Sequence, residues 1–439
     1  MKRTKTYLST IGLFFLCCST SFSSEKISLP ATGSSEPAHT VFTSPAESPA
    51  SSMNVSWATA PDVCQTYIEY TTREDSAWTL KRIVFPTETR LSTAFDSIHS
   101  KLADNSDVYE RHVFLKRGAT LSGLKPDTRY VYRVVSRRHG QLVKTDARSF
   151  KTAGADSWKA AVIGDFHHYS PLWSRLDHAT AMVDVLDSVA DGVDWILSTG
   201  DQAAWGASYN YWTELAEQPI YKNFTWGSVE GNHDHWAREK KDYSDEYYRD
   251  THFNPMNGYA GQEGIVYWFK WGDVLFVMLN NEAMRNQQTL EVALKWMEDV
   301  IAQNPSRYIV VVEHYEWLIG TNGANSQLDR FASTFDRLGV DLAISGNNHV
   351  YLRTHPLRDR KPVAPGEGTV YVVNSSSDNS RGRDLKPLEA NGDIIATRWS
   401  EGPKTVGGMI LDVDNSRMIL TLYDRTGTPV DSVTVPARR

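Results

Sequence analysis

Five stretches of the chain end an apolar run in residues that can bind a metal or move a proton. They are Val162-Ile163-Gly164-Asp165-Phe166-His167, Leu197-Ser198-Thr199-Gly200-Asp201, Gly231-Asn232-His233-Asp234, Val310-Val311-Val312-Glu313-His314, and Ile344-Ser345-Gly346-Asn347-Asn348-His349. Asp165 and His167 stand at i and i+2, so both side chains can reach one centre from a loop. Asp201 offers two carboxylate oxygens and could bridge two ions. Carboxylate oxygen combined with imidazole nitrogen suits zinc, iron, manganese or cobalt and not a calcium site. A thiolate zinc site is excluded, because the chain has 3 cysteines, and two of them, Cys17 and Cys18, lie in an apolar leader. Taken singly, each His or Asp reads as an ordinary polar loop residue. The recurrence at five strand ends is what points to a metal centre.

Those ends need a scaffold that brings them together. From residue 158 short apolar runs bounded by Gly-Asp or Gly-Asn alternate with stretches of helical period. Residues 179–189 and 289–303 place apolar side chains on one helical face; in the second these are Leu290, Ala293, Leu294, Met297, Val300 and Ile301. Residues 327–339 read as a helix closed by Gly339. Two apolar runs around Gly272-Asp273 read as a hairpin. Buried strands with crossover helices predict an α/β or α+β layered domain over 156–436. In such layers functional residues gather where strands end in loops.

The region before it has a different texture. Residues 53–59 and 65–71 alternate apolar and polar as half-buried strands do. A more polar insertion covers 72–108, and strand-like text returns at 111–116, 121–135 and 148–153. Short strands, turn signals and no helical stretch predict an all-β sandwich over 51–154. Residues 24–50, rich in Ser, Pro, Thr and Ala, read as a flexible lead-in. Residues 1–23 carry a basic start, an apolar core and small residues, which is the pattern of a secretory signal peptide. The chain is thus expected to be secreted or periplasmic. Lipoprotein anchoring at Cys17 or Cys18 is an alternative that Phe14-Phe15-Leu16 fits poorly. No later apolar run is long enough to span a membrane. Cys64 remains as one thiol and reads as a buried apolar residue. A net charge of −7 with no basic stripe excludes a nucleic-acid binder held by phosphate contacts. The 14 Trp and 20 Tyr fit core packing better than a dedicated aromatic cleft.

The ordered set Gly-Asp-x-His, Gly-Asp, Gly-Asn-His-Asp, His and Gly-Asn-Asn-His resembles the calcineurin-like metallophosphoesterase superfamily. The preceding β segment, with Trp57, the turn Leu124-Lys125-Pro126-Asp127-Thr128-Arg129-Tyr130 and the exit Ser149-Phe150-Lys151-Thr152, resembles a fibronectin type III-like module, as in the purple acid phosphatase branch. The resemblance implies a four-layer domain with two central sheets flanked by helices, and a dinuclear centre of Fe, Zn, Mn or Mg. It implies that Asp165, His167 and His349 hold one ion, Asp201 bridges, and Asn232 and His314 hold the other. Water activated by the ions would attack a phosphate monoester or diester. His233 would protonate the leaving group, with Asp234 in support. His168 and His235 would at most contact the ligands or the substrate. Two departures stand out. The superfamily ends its set with Gly-His-x-His, whereas here Asn347 takes the place of the first imidazole, as a weaker ligand to the second ion through its amide oxygen. This leaves open a degenerate relative that binds a ligand or metal with weak or no catalysis. Ala204 stands where the purple enzymes have a tyrosine, so no purple colour is expected. The insert at 235–263, with Trp236, Tyr243, Tyr247, Tyr248 and His252, and the loop at 316–330 are expected to shape the pocket for a phosphorylated small molecule or macromolecule.

Overall fold

The computed structural model describes residues 38–98, 108–155, 157–169, 176–236, 246–378 and 381–437. The predicted leader, 1–23, and the first part of the lead-in lie outside the described residues.

The N-terminal domain is a sandwich of two antiparallel sheets. One sheet orders the strands His39–Pro45, Ser52–Thr59, Val108–Ser122 and Glu88–Ile98. The other orders Arg82–Val84, Gln65–Thr72, Arg129–Arg138 and Gln141–Lys144, with Arg148–Lys151 also on Arg129–Arg138. Trp57, Ile68, Tyr70, Tyr132 and Phe150 fill the space between the sheets.

Three readings of this region need correction. The end of the supposed lead-in is a strand, His39–Pro45, whose residues are all buried. Its composition hides it because both faces are covered: Val41 joins the sandwich core, while Phe42 packs with the second domain. The polar insertion contains the strands Arg82–Val84 and Glu88–Ile98. Its buried positions Ser92 and Ala94 are small, and Ser92 is answered by an acid of the other domain, so no apolar alternation is needed. Cys64 is exposed, just before its strand begins, and its thiol reaches the Arg137 carbonyl.

The second domain stacks two sheets face to face. The first orders Trp226–Ser228, Trp195–Ser198, Ser157–Ile163, Gly407–Asp414, Met418–Asp424 and Pro429–Val435. Its first three strands are mutually parallel. The second orders Tyr267–Trp271, Val274–Met278, Tyr308–Val312, Leu342–Ser345, Val370–Val373, Tyr351–Thr354 and Ile395–Trp399. Within it Val274–Met278, Tyr308–Val312, Leu342–Ser345 and Val370–Val373 run parallel. Tyr267–Trp271 and Val274–Met278 form the predicted hairpin.

The space between the sheets is aromatic. Trp195 stacks on Trp271 at 4.7 Å and meets Phe276 edge-on at 5.1 Å, with Trp158 at 5.8 Å. Packing therefore accounts for much of the tryptophan, and truncating Trp195 to Ala would cost about 3–5 kcal/mol. Helix Leu176–Ala190 covers the outer face of the first sheet through Met182, Val183 and Leu186. Helices Gln287–Gln303 and Leu328–Leu338 cover the second through Leu290, Met297, Phe331 and Phe335. The latter helix ends at Gly339 in a left-handed conformation, φ 71°. This is the helix–sheet–sheet–helix order predicted.

The two domains are joined by buried polar bonds as well as apolar contact. Arg148 donates to the carbonyls of Val41 and Ala216 and pairs with Glu217 at 2.7 Å. Lys116 donates to the carbonyls of Arg249 and His252, at the end of helix Glu246–Thr251. Arg90 and Ser92 bind Asp250, and Ser56 donates to the Thr251 carbonyl at 2.6 Å.

Candidate metal centre

All five predicted strand ends open on one edge of the stacked sheets. Ser157–Ile163 leads into Gly164-Asp165, Trp195–Ser198 into Gly200-Asp201, and Trp226–Ser228 into Gly231-Asn232. From the facing sheet, Tyr308–Val312 leads into His314 and Leu342–Ser345 into Gly346-Asn347. Parallel strands put these carboxyl ends side by side.

The backbone there is unusual. Asp165, His167, Asp201, Asn347 and His349 all have positive φ, between 47° and 67°. Non-glycine residues in that region cost roughly 1–3 kcal/mol each and cluster where a site over-determines them. The glycines beside them allow close approach. A Cβ on Gly231 would lie 2.2 Å from Asp201 Oδ1, and one on Gly346 would lie 2.5 Å from Asp165 Oδ2.

The side chains converge. Asp165, His167 and His349 present donor atoms all within 4.8 Å of one another, and so do Asp165, Asp201 and His314. A third group joins His167, Asp201 and His233. Asp201 lies between the other two: its Oδ2 is 2.9 Å from His167 Nε2 and 3.3 Å from His314 Nε2. Asn232 Oδ1 is 3.0 Å from His314 Nε2. Two fully buried carboxylates among imidazoles form a donor set that fits cations. The ring orientations fit as well. His314 Nδ1 donates to the Thr199 carbonyl at 2.7 Å and His349 Nδ1 to the Arg381 carbonyl at 2.8 Å. Carbonyls only accept, so Nε2 is the nitrogen each ring turns to the centre.

Electrostatics follow from burial and these neighbours. Burial holds His167 in its neutral form, down to about 4, and takes His349 well below the usual imidazole range. Burial also opposes charge on His314, but Asp201 and Asp165 outweigh it and lift that imidazole to about 10. An ion bound there would therefore displace a proton. Burial pushes the Asp165 carboxyl well up. For Asp201, burial is overcome by His314, His167 and His233, which hold its carboxyl well below the usual range.

His233 sits at the rim. Its Nδ1 donates to the Ala204 carbonyl at 2.8 Å, and its ring meets His167 at 4.6 Å and Trp236 at 4.5 Å. Asp234 does not hold that ring. Its carboxylate accepts the backbone N–H of Ala203 at 2.8 Å and of Gly231 at 3.1 Å, tying two ligand-bearing loops together. His168 turns to Glu214 at 2.6 Å, and His235 lies 3.5 Å from Glu230. Of the insert, Trp236 borders the site, whereas Tyr247, Tyr248 and His252 pack against Phe114, Trp212 and Phe42 between the domains. Tyr243 lies outside the described residues.

Three contributors escaped the sequence reading. Glu316 accepts from the Asn347 amide nitrogen. Ser376 Oγ donates to the Asp165 carbonyl at 2.8 Å, and Arg381 offers its carbonyl to His349. Glu316 follows His314 by two residues, the spacing of Asp165 and His167, and Ser375-Ser376-Ser377 follows a buried strand.

Comparison with known proteins agrees with this architecture. The calcineurin-like phosphoesterase family model matches residues 159–351. The purple acid phosphatase N-terminal domain model matches residues 38–152. No curated protein matches the sequence. Among solved structures, the purple acid phosphatase PPD1 from yellow lupin (Lupinus luteus) seeds superposes with a TM-score of 0.70 at 15% identity, covering 91% of this chain and 74% of that one. PhoD superposes with a TM-score of 0.56 at 10% identity, covering 93% and 94%. The chain thus carries a calcineurin-like phosphoesterase domain over 159–351, the domain of a phosphoric ester hydrolase, behind the N-terminal domain of the purple acid phosphatases over 38–152.

Proposed function

We propose that the chain is an exported, metal-dependent phosphoesterase acting on phosphate monoesters or diesters at a centre for two ions, with His233 as the acid. The observation that supports this best is Asp201, whose one oxygen faces the imidazoles of both ligand groups. Asp165, His167 and His349 would hold one ion, and Asn232, His314 and Asn347 the other, with Asp201 shared. When bound, two such ions neutralise phosphoryl charge and acidify a water.

The remaining work falls to the chain. Asp201 Oδ1 accepts the His233 backbone N–H at 2.8 Å, so the shared ligand also fixes the acid's backbone. With Nδ1 donating to Ala204, the proton His233 delivers to a leaving oxygen must sit on Nε2. Trp205 and Trp236 flank that ring at 5.8 and 4.5 Å and restrict water on that side. Asp234 supports the acid indirectly, by fixing the backbone at Gly231.

The test is hydrolysis of aryl phosphate monoesters and diesters with Mn, Zn, Fe or Mg added. Activity with at least one metal, abolished in Asp201→Asn, is expected; inactivity with every metal would sink the proposal. The rival reading is a degenerate ligand-binding relative. It rests on Asn347, whose amide nitrogen is engaged by Glu316 where the superfamily has an imidazole. Two ions per chain on metal analysis favour the enzyme, and none after reconstitution favours the rival.

A further inference from the structure

We propose that Glu316 is the positioning residue that makes Asn347 a usable donor to the second ion, so that an Asn–Glu pair stands in for the missing imidazole. The inference rests on the two-ion reading above. The backbone of Asn347 is already fixed. Its N–H donates to Asp165 Oδ1 at 2.9 Å, its φ is 67°, and Gly346 before it packs against Asp165. What stays undetermined is which end of the amide faces the ion. Only the carbonyl oxygen can coordinate; the NH2 group has no available lone pair. Glu316 decides this. It is buried, and its Oε2 accepts from Asn347 Nδ2. With Nδ2 donating to that carboxylate oxygen, the nitrogen takes the Glu316 branch and the oxygen the other. The neighbouring Asn348 does not compete, since its Oδ1 accepts the Thr321 backbone N–H at 3.2 Å.

Glu316 acts through Asn347 and not as a ligand. Among the described residues its carboxylate belongs to none of the three groups of mutually close donors. A carboxylate on an amide N–H also draws charge onto the carbonyl oxygen, as a carboxylate behind a ligating histidine raises that ring's basicity. A weak neutral ligand is thereby oriented and strengthened.

The experiment uses the full chain, stripped by chelator and titrated with Mn, with ions counted by elemental analysis and affinities read by calorimetry. Wild type should take up two ions. In Glu316→Gln the amide of the new side chain can donate as well as accept, so Asn347 is free to turn. The first ion should remain, and the second should weaken about 10–100-fold, as for other supports behind a ligand. Asn347→His restores an imidazole with no need of Glu316, so adding Glu316→Gln to it should leave both affinities unchanged. Unaltered binding in Glu316→Gln alone overturns the inference. So does an equal loss in the Asn347→His background, which would show that Glu316 serves the local fold. Fewer than two ions in wild type removes the two-ion reading itself, a result distinct from either.

Discussion

Acidification should loosen the contact between the two domains, and two histidines set the size of the effect. His39 lies in the first strand of the sandwich, where the Tyr209 hydroxyl reaches its Nε2 at 2.7 Å. His252 stacks on Phe42 of the same strand at 5.2 Å and on Tyr248 at 4.1 Å. Burial lowers His39 from 6.5 to about 4, with His112 adding to it and Glu217 opposing. Burial likewise lowers His252 from 6.5 to about 3, with its bond to Tyr248 opposing. Both are therefore neutral in the native protein and take up a proton on unfolding below pH 6.5. A depressed folded-state value gives stability that is full above 6.5 and is lost as pH falls toward 4 and then 3. At pH 5 the unfolded state is favoured by about 1.5 pK units per histidine, or about 2 kcal/mol each and about 4 kcal/mol together. The assay is denaturant unfolding at pH 7.5 and pH 5 for wild type, His39→Gln and His252→Gln. Each variant should be less sensitive to pH than wild type by about 2 kcal/mol, whatever it loses at pH 7.5. If both variants lose as much stability between the two pH values as wild type, the histidines are solvated enough to titrate normally, and the buried-interface argument fails.

Further outcomes follow from the site. His233→Ala should lower turnover about 10²–10⁴-fold while the ion count stays at wild-type level. The loss should be larger for an alkyl phosphate than for a nitrophenyl ester, whose leaving group needs no acid; equal losses would argue against protonation by His233. Gly231→Ala should cost the centre outright, read as lost metal uptake, because its Cβ would fall 2.2 Å from Asp201 Oδ1 and 2.4 Å from the Asp201 nitrogen. Iron-loaded protein should show no strong visible charge-transfer band, since Ala204 cannot supply a phenolate; such a band in the absorption spectrum would refute that. A chain beginning at residue 155 should aggregate on expression, because it would expose Tyr209, Trp212 and Tyr248 and leave Asp250 without Arg90 and Ser92.

Legibility in the sequence followed the physics of each residue. Ligands at the ends of buried parallel strands were legible because an apolar run must stop before a charge, and glycine must precede a crowded turn. Asp165, His167, Asp201, Asn232, His314 and His349 stand out that way, whereas Asn347 is a candidate through the family resemblance alone. A layered α/β or α+β domain was legible because its helices have one apolar face and its inner strands have two; the four-layer order came with the family resemblance. Partners that act through hydrogen bonds were not. Asp234 is expected beside His233 as its support, yet its oxygens serve two backbone amides. Glu316 and Ser376 stand close behind strand ends, but position alone does not say which distant partner they bind, and nothing in the sequence marks the Arg381 carbonyl. The aromatic insert misled in the same way. Tyr247, Tyr248 and His252 have the composition of a pocket wall, but the sandwich that covers them is built from residues near 40 and 115.

The strand His39–Pro45 shows why the domains are one working unit. A strand in an isolated sandwich would bury one face and wet the other, and alternation would betray it. This one buries both. Val41 faces the sandwich core, while Phe42 lies in the cluster that holds Trp212 and Tyr221. Tyr221 in turn donates its hydroxyl to Gln202 Oε1 at 2.7 Å, and Gln202 follows the candidate ligand Asp201 directly. The same strand meets His252, at the end of the segment whose carbonyls Lys116 holds. A chain of packed side chains and hydrogen bonds thus runs from the sandwich to the residue beside Asp201. Losing the strand would remove packing that reaches the residue beside Asp201 as well as exposing apolar surface, although none of the sandwich's described residues lies among the candidate ligands.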